Sequence, residues 1–231
     1  MISILIPVLA RPDNAAKVVD SIRWTTENDY GIIFVCSPAD YAEIAAVEDT
    51  NEEFIVCGWT PGPGDFARKT NLGFRLTEGE WVFLGADDLV FHEGWDAAAL
   101  EVAAETGAAV IGTQDLCNPL VKRGRHSTHS LVHRDYIDSE GGTFDEEPGV
   151  VYAECYDHQS VDNELLIVAQ DRGRWAFAER SVVEHLHPLT RRTSMDATYR
   201  KALANGREDY ALFNSRRVVW NRNQKRRPAR T

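Results

Sequence analysis

Trp81-Val82-Phe83-Leu84-Gly85-Ala86-Asp87-Asp88 is a short apolar strand that runs directly into two adjacent carboxylates. Side by side, two like charges repel and must be solvated or neutralised. A divalent cation is a common neutraliser, and Mg²⁺ and Mn²⁺ prefer carboxylate oxygens. For an acid pair taken alone, the alternative is a solvated turn with Asp88 capping a local helix. The apolar strand before the pair and the strand–helix alternation around it favour a metal-assisted site. It would lie at the carboxyl end of a strand, where open α/β sheets bind ligands.

That alternation runs through the first half of the chain. Residues 2–7 read as a buried strand, and Arg11-Pro12-Asp13 opens a helix whose apolar face is Ala15, Ala16, Val18, Val19 and Ile22. A strand at 31–36, a helix at 38–47 and a strand at 54–57 follow. After a Pro- and Gly-rich loop at 59–64 come a helix at 65–77, the strand at 81–84, a helix at 94–106 and a strand at 108–112. Such a pattern specifies right-handed βαβ units and a mostly parallel central sheet flanked by helices. The rhythm then breaks. Residues 118–128 and 138–149 read as loops, 160–171 as a helix, 175–185 as one or two strands, and 193–205 and 208–220 as helices.

Composition narrows the function. Across 231 residues, 25 basic and 36 acidic side chains give a net charge of -11, which argues against a nucleic-acid binder. The positive end, Arg216-Arg217 and then Arg222 to Arg230, is a solvated tail or a phosphate- or lipid-binding arm. Cys36, Cys57, Cys117 and Cys155 form no Cys-x-x-Cys pair and no zinc pattern with histidine, so free thiols in a reducing compartment are expected. The opening apolar run is too short to span a membrane and lacks the charged start of a secretory signal. These features point to a cytoplasmic protein without an integral membrane segment. No strand is followed by Gly-x-Gly-x-x-Gly and no Walker-type loop is present, which sets aside dinucleotide oxidoreductases and P-loop enzymes. A sugar-nucleotide pyrophosphorylase would need a Gly-rich loop where Val8-Leu9-Ala10-Arg11-Pro12 stands.

Two later stretches carry chemistry. Val183-Glu184-His185-Leu186-His187-Pro188 ends a strand, so His185 and His187 share a face and suit metal ligation, unless they are ordinary strand-end histidines. Ser160-Val161-Asp162-Asn163-Glu164-Leu165 enters a helix, where Asp162 is either an N-terminal cap or a general base.

Together these residues resemble a family 2 glycosyltransferase of the GT-A fold. Ile2-Ser3-Ile4-Leu5-Ile6-Pro7 is similar to the family's first nucleotide-binding strand, and Arg68-Lys69-Thr70-Asn71-Leu72-Gly73 to the helix before its metal strand. Phe83 to Asp88 resembles the Asp-x-Asp segment, Val161 to Leu165 the stretch with the catalytic base, and Val182-Val183-Glu184-His185 the strand with the late metal-binding histidine. The likeness spans residues 1–190 and leaves 191–231 as a helical extension with a basic tail. Three departures stand out. Gly85 replaces the first Asp of Asp-x-Asp, Ser37-Pro38-Ala39-Asp40 stands where an acidic pair follows the second strand, and Val161 replaces the Glu before the base.

The resemblance implies an inverting, metal-dependent hexosyltransferase-like enzyme using a nucleotide-diphosphate sugar, with a UDP-sugar favoured, and a protein or glycan acceptor. Asp87 and His185, aided by Asp88, would hold Mn²⁺ or Mg²⁺, and Asp162 would be the base. Pro7, Arg11, Ser37, Arg68, Lys69 and Asn71 would bind the donor, with Arg68 or Lys69 adding charge near the phosphates. Trp95, Glu164 and His187 would contact sugar or acceptor, although Trp95 also suits a core anchor. Arg123, Arg125, His126 and His129 would shape an acceptor site or form a solvated loop. The acidic stretch 138–147 would be a lid or a plain surface loop. The rival from another class is a non-catalytic nucleotide-sugar- or carbohydrate-binding module with a degenerate metal motif, which Gly85 favours.

Overall fold

The computed structural model describes residues 1–225. Eight strands form one sheet in the order β3-β2-β1-β4-β7-β6-β8-β5. Strands β1 (Ile2–Pro7), β2 (Tyr30–Cys36), β3 (Glu53–Val56) and β4 (Trp81–Leu84) are parallel neighbours. They are joined by helices α1 (Pro12–Thr25), α2 (Tyr41–Glu48) and α3 (Asp65–Leu76), as the alternation predicts. Beyond β4 the sheet becomes mixed. β5 (Leu89–Phe91), β6 (Val110–Gln114), β7 (Ser130–His133) and β8 (Trp175–His185) complete it. β6 and β8 are parallel, while β7 runs antiparallel to both β4 and β6, and β5 antiparallel to β8.

The central strand β1 is buried along its whole length. Its side chains alternate between two cores, because successive residues of a strand face opposite ways. Ile2, Ile4 and Ile6 pack with Val18 and Ile22 of α1 and with Trp95 and Ala99 of α4 (Trp95–Thr106). Leu5 packs on the other face with Phe74 of α3, Ile137 of α5 (Arg134–Glu140) and Leu165 of α6 (Val161–Asp171).

Three elements escape the sequence reading: β5, β7 and α5. β5 is three residues long and follows the acids at once, and β7 is four residues set among polar neighbours. Neither is long enough to display a period of its own. α2 begins at Tyr41 rather than at residue 38, because the chain first turns at residues 37–40, where the Ala39 and Asp40 N–H groups donate to Ser37 O.

The last helices, α7 (Ala197–Ala204) and α8 (Gly206–Gln224), are joined to the body. Phe213 of α8 lies in the same core as Val161 and Leu165, and Trp220 Nε1 donates to Asp171 at 2.7 Å. The end of the basic tail, residues 226–231, lies outside the described residues. The acidic stretch expected as a lid or surface loop is tied to the body of the fold. Arg172 donates to the carbonyls of Glu140 and Gly141 and to Glu146, and Arg216 pairs with Asp145. Among the described residues no helix is long and apolar enough to cross a membrane. The four cysteines are free, with Cys36 and Cys57 buried.

Gly73 lets α3 lie close on β1. A Cβ there would stand 2.1 Å from Leu5 Cδ1 and 3.1 Å from Val35 Cγ2. Gly73→Ala should therefore destabilise the fold by about 1–3 kcal/mol through overpacking, read as a lowered midpoint in urea denaturation at unchanged slope.

Candidate active site

The carboxyl ends of β1, β4 and β8 open onto one cavity of about 440 Å³. Asp87, Asp88, His185, His187 and Asp162 line it, together with Pro7, Arg11 and Lys69. Residues far apart in sequence therefore share one cleft.

The acid pair is the most tightly compensated part of it. Arg11 Nη1 bridges Asp87 Oδ1 at 3.2 Å and Asp88 Oδ2 at 3.1 Å. Its Nε pairs with Asp196 at 3.0 Å, and its guanidinium lies 3.8 Å from the centre of the Tyr199 ring. Tyr199 also donates its hydroxyl to Asp88 Oδ2 at 2.5 Å, and Asp196 caps α7 by accepting the Tyr199 N–H. His185 Nε2 stands 3.4 Å from Asp88 Oδ1. The two acids are consequently unequal. Burial, followed by the charge of Asp88, pushes Asp87 up to about 7 against the pull of Arg11. For Asp88 burial acts upward too, but His185, Tyr199 and Arg11 outweigh it and hold the group below the usual carboxylate range. Asp87 Oδ2 is buried without a hydrogen-bond partner.

Asp162 opens α6, and its Oδ2 is 3.2 Å from His126 Nε2. Burial raises this carboxyl, but the hydrogen bond and charge of His126, with the Asn163 N–H, bring it below its ordinary value, so it is ionised at neutral pH. His126 responds in the opposite direction: burial lowers it, and the bond to Asp162 raises it further. Asp209 of α8 sets the approach to this helix. Its carboxylate accepts the N–H groups of Asp157, His158 and Gln159, the turn that leads into α6.

Other residues expected at the site have their polar groups engaged within the chain or are buried in the core. Lys69 is buried, and its ammonium is spent on Val8 O at 2.7 Å, Ser37 Oγ at 2.6 Å and Asp65 at 3.0 Å. With three donors and three acceptors it has none left for a phosphate, and Ser37 serves as its partner. Arg68 stacks on Trp59 at 4.3 Å. Asn71 is fully buried and holds the backbone of Val151 and Tyr152. Trp95 is a core anchor packed edge-on against Phe83 and Phe91, with its Nε1 on Thr26. Glu164 is buried beneath Phe144 N, the Tyr156 hydroxyl and Arg216. Sequence reasoning misses Tyr199, Asp196, Asp209 and Glu43, which accepts the Arg11 N–H at 2.6 Å. None has a local signal, because each acts through a partner distant in sequence.

The model of the family described as Glycosyl transferase family 2 matches residues 3–165. The chain belongs to this family. No curated protein sequence matches it. Solved structures share its fold at low identity. A mannosyltransferase from Pyrobaculum calidifontis, in complex with GDP-Man and Mn²⁺, is 13% identical with a TM-score of 0.64, covering 98% of this chain and 76% of its own. Glucosyl-3-phosphoglycerate synthase from Mycobacterium tuberculosis, in complex with Mn²⁺, UDP-glucose and phosphoglyceric acid, is 16% identical with a TM-score of 0.65, covering 94% and 79%. Both are GT-A glycosyltransferases, and the fold here is of that type. Family and neighbours support a nucleotide-sugar glycosyltransferase. Within family 2, the departure at Gly85 has a steric basis: its N–H donates to Leu5 O at 2.9 Å, and a Cβ would sit 3.0 Å from that oxygen.

A raised carboxyl destabilises the fold as pH rises. Between about 4, the unfolded value, and about 7 the native state holds a proton that the unfolded chain has released, so stability falls across that window. Asp87→Asn mimics the protonated form. The variant should melt above wild type at pH 8, with the gap closing as pH is lowered toward 4.

Proposed function

We propose that this family 2 member transfers a sugar from a nucleoside-diphosphate donor to an acceptor hydroxyl, with inversion at the anomeric carbon and with Mn²⁺ or Mg²⁺. One observation carries the reading: Asp87, Asp88, His185 and Asp162 line the same cavity.

The residues fit a divalent cation. Asp87 Oδ2 is a buried carboxylate oxygen with no partner, and His185 stands beside the adjacent acid. Among the described residues there is no group of three or more His, Cys, Asp or Glu side chains arranged for a metal. None is required, since ions of this kind are held by one or two carboxylates plus substrate phosphates. When bound, the cation supplies Lewis-acid stabilisation of the departing diphosphate.

The chain's own groups supply the rest. Asp162, ionised and facing the cavity, takes the proton of the acceptor hydroxyl, so the alkoxide attacks opposite the leaving group. His126 stands behind it and fixes the orientation of the carboxylate. Arg11 carries the positive charge nearest the acids, which suits it to the diphosphate better than Lys69 or Arg68. Pro7 and the loop after β1, which line the cavity, would take the nucleoside, and His187, which also lines it, the sugar or acceptor. A UDP-sugar is the donor and a protein or glycan hydroxyl the acceptor. Four free thiols favour action in the reducing cytoplasm.

One observation favours the rival, a non-catalytic binding module: Arg11 already bridges both acids. Calorimetry with UDP-glucose and GDP-mannose, with and without Mn²⁺, followed by a donor-turnover assay, separates the two. The enzyme reading requires metal-dependent binding and release of nucleoside diphosphate. Tight binding without turnover across acceptors supports the module.

Asp162→Asn should keep donor and Mn²⁺ affinity while slowing transfer by about 10²–10⁴-fold, and an unchanged rate would remove Asp162 from its role. Asp87→Ala should abolish the Mn²⁺-dependent part of donor binding in the same titration.

A further inference from the structure

His129 takes no part in the pairs described above. It stands just before β7, is 6% exposed and lines the cavity. Its Nδ1 lies 2.9 Å from the carbonyl oxygen of Leu84. A carbonyl only accepts, so Nδ1 carries the proton, and the neutral ring presents Nε2 as a bare lone pair. That nitrogen is buried and has no partner.

Its position gives the lone pair a purpose. The ring packs edge-on against His185 at 5.1 Å and lines the same cavity as Asp87, Asp88 and Asp162. On the proposed function, that cavity is where the sugar under transfer lies. An imidazole with its one proton committed can only accept a hydrogen bond. Among the described residues no donor of the chain lies within hydrogen-bond distance of Nε2. A sugar hydroxyl donates.

We infer that His129 is a specificity-determining residue that accepts a hydrogen bond from one hydroxyl of the donor sugar. The assignment rests on reading the cavity as a nucleotide-sugar site. Loss of that one donor leaves a buried acceptor unmatched, so the site should reject a sugar that lacks it.

The test uses UDP-glucose, its analogues monofluorinated at each sugar hydroxyl in turn, and UDP itself. Each is titrated with Mn²⁺ into wild type, His129→Leu and His129→Phe, with the GDP-mannose series as a second donor. Fluorine keeps the size of the hydroxyl and removes its proton. One analogue should bind wild type about tenfold more weakly than the parent donor, while both variants bind that analogue and the parent alike. Affinity for UDP with Mn²⁺ should be equal in all three proteins. The assignment is overturned if wild type singles out no position, or if the one-position penalty survives in a variant. It is also overturned if the variants lose affinity for Mn²⁺ and UDP, which would make His129 a metal ligand or a support of the fold. Wild type that binds neither donor series nor UDP in the presence of Mn²⁺ rejects the nucleotide-sugar reading itself, whereas normal binding without hydroxyl discrimination rejects only His129.

Discussion

Two adjacent carboxylates, buried where a strand ends, set the terms for the rest of this molecule. Burying one unpaired charge is costly, and burying two side by side costs more. The surrounding structure offsets that cost from three directions. Arg11 comes from the start of α1, His185 from the end of β8, and Tyr199 from α7. The partners come from both ends of the chain, so the acid pair closes only when the whole fold is assembled. The C-terminal helices thereby belong to the site, although the family match ends at residue 165.

The division of labour between Arg11 and Lys69 follows from the same electrostatics. Both are largely buried cations that line the cavity. Lys69 has a neutral carbonyl, a hydroxyl and one carboxylate for its three protons, and is fully matched. Arg11 holds three carboxylates with a planar fork and lies against an aromatic ring. A guanidinium with several competing partners can exchange one of them for an incoming anion at modest cost, whereas extracting a saturated buried ammonium leaves three acceptors stranded.

The parts of this arrangement that are legible in sequence are those with a local period or a local motif. The βα rhythm gives the parallel half of the sheet, since apolar runs such as residues 2–7 are continuous and bounded. Asp87, Asp162 and His185 are legible because each sits at a strand or helix end within a recognisable stretch. β7 is not, since Ser130–His133 is too short to show alternation and its polar surroundings read as loop. Glu164 illustrates the opposite case, and Trp95 takes the core-anchor alternative. Their residue types suit a sugar site, but α4 and α6 turn them inward, where an aromatic core and the Arg216–Tyr156 pair take them up. Helical phase, not residue type, decides which side chain of a helix reaches a cleft.

Satisfaction of hydrogen bonds then separates scaffold from site. Asn71 holds two backbone N–H groups and a carbonyl. Asp209 holds three N–H groups in a row, and Asp96 holds those of Glu27 and Asn28. These buried polar side chains find their partners within the chain, and they fix loops. Asp87 Oδ2 and His129 Nε2 are equally buried, line the cavity and are left unmatched. Leaving a buried acceptor unmatched costs about 1–3 kcal/mol, and both atoms are acceptors. Unmatched atoms elsewhere, such as Ser181 Oγ, show that the criterion needs a cavity beside it. Where the two coincide, the free chain forgoes stability that a bound molecule can restore. In the proposed chemistry the Asp87 oxygen suits a cation and the His129 nitrogen a sugar hydroxyl, which links the burial of these groups to the proposed function.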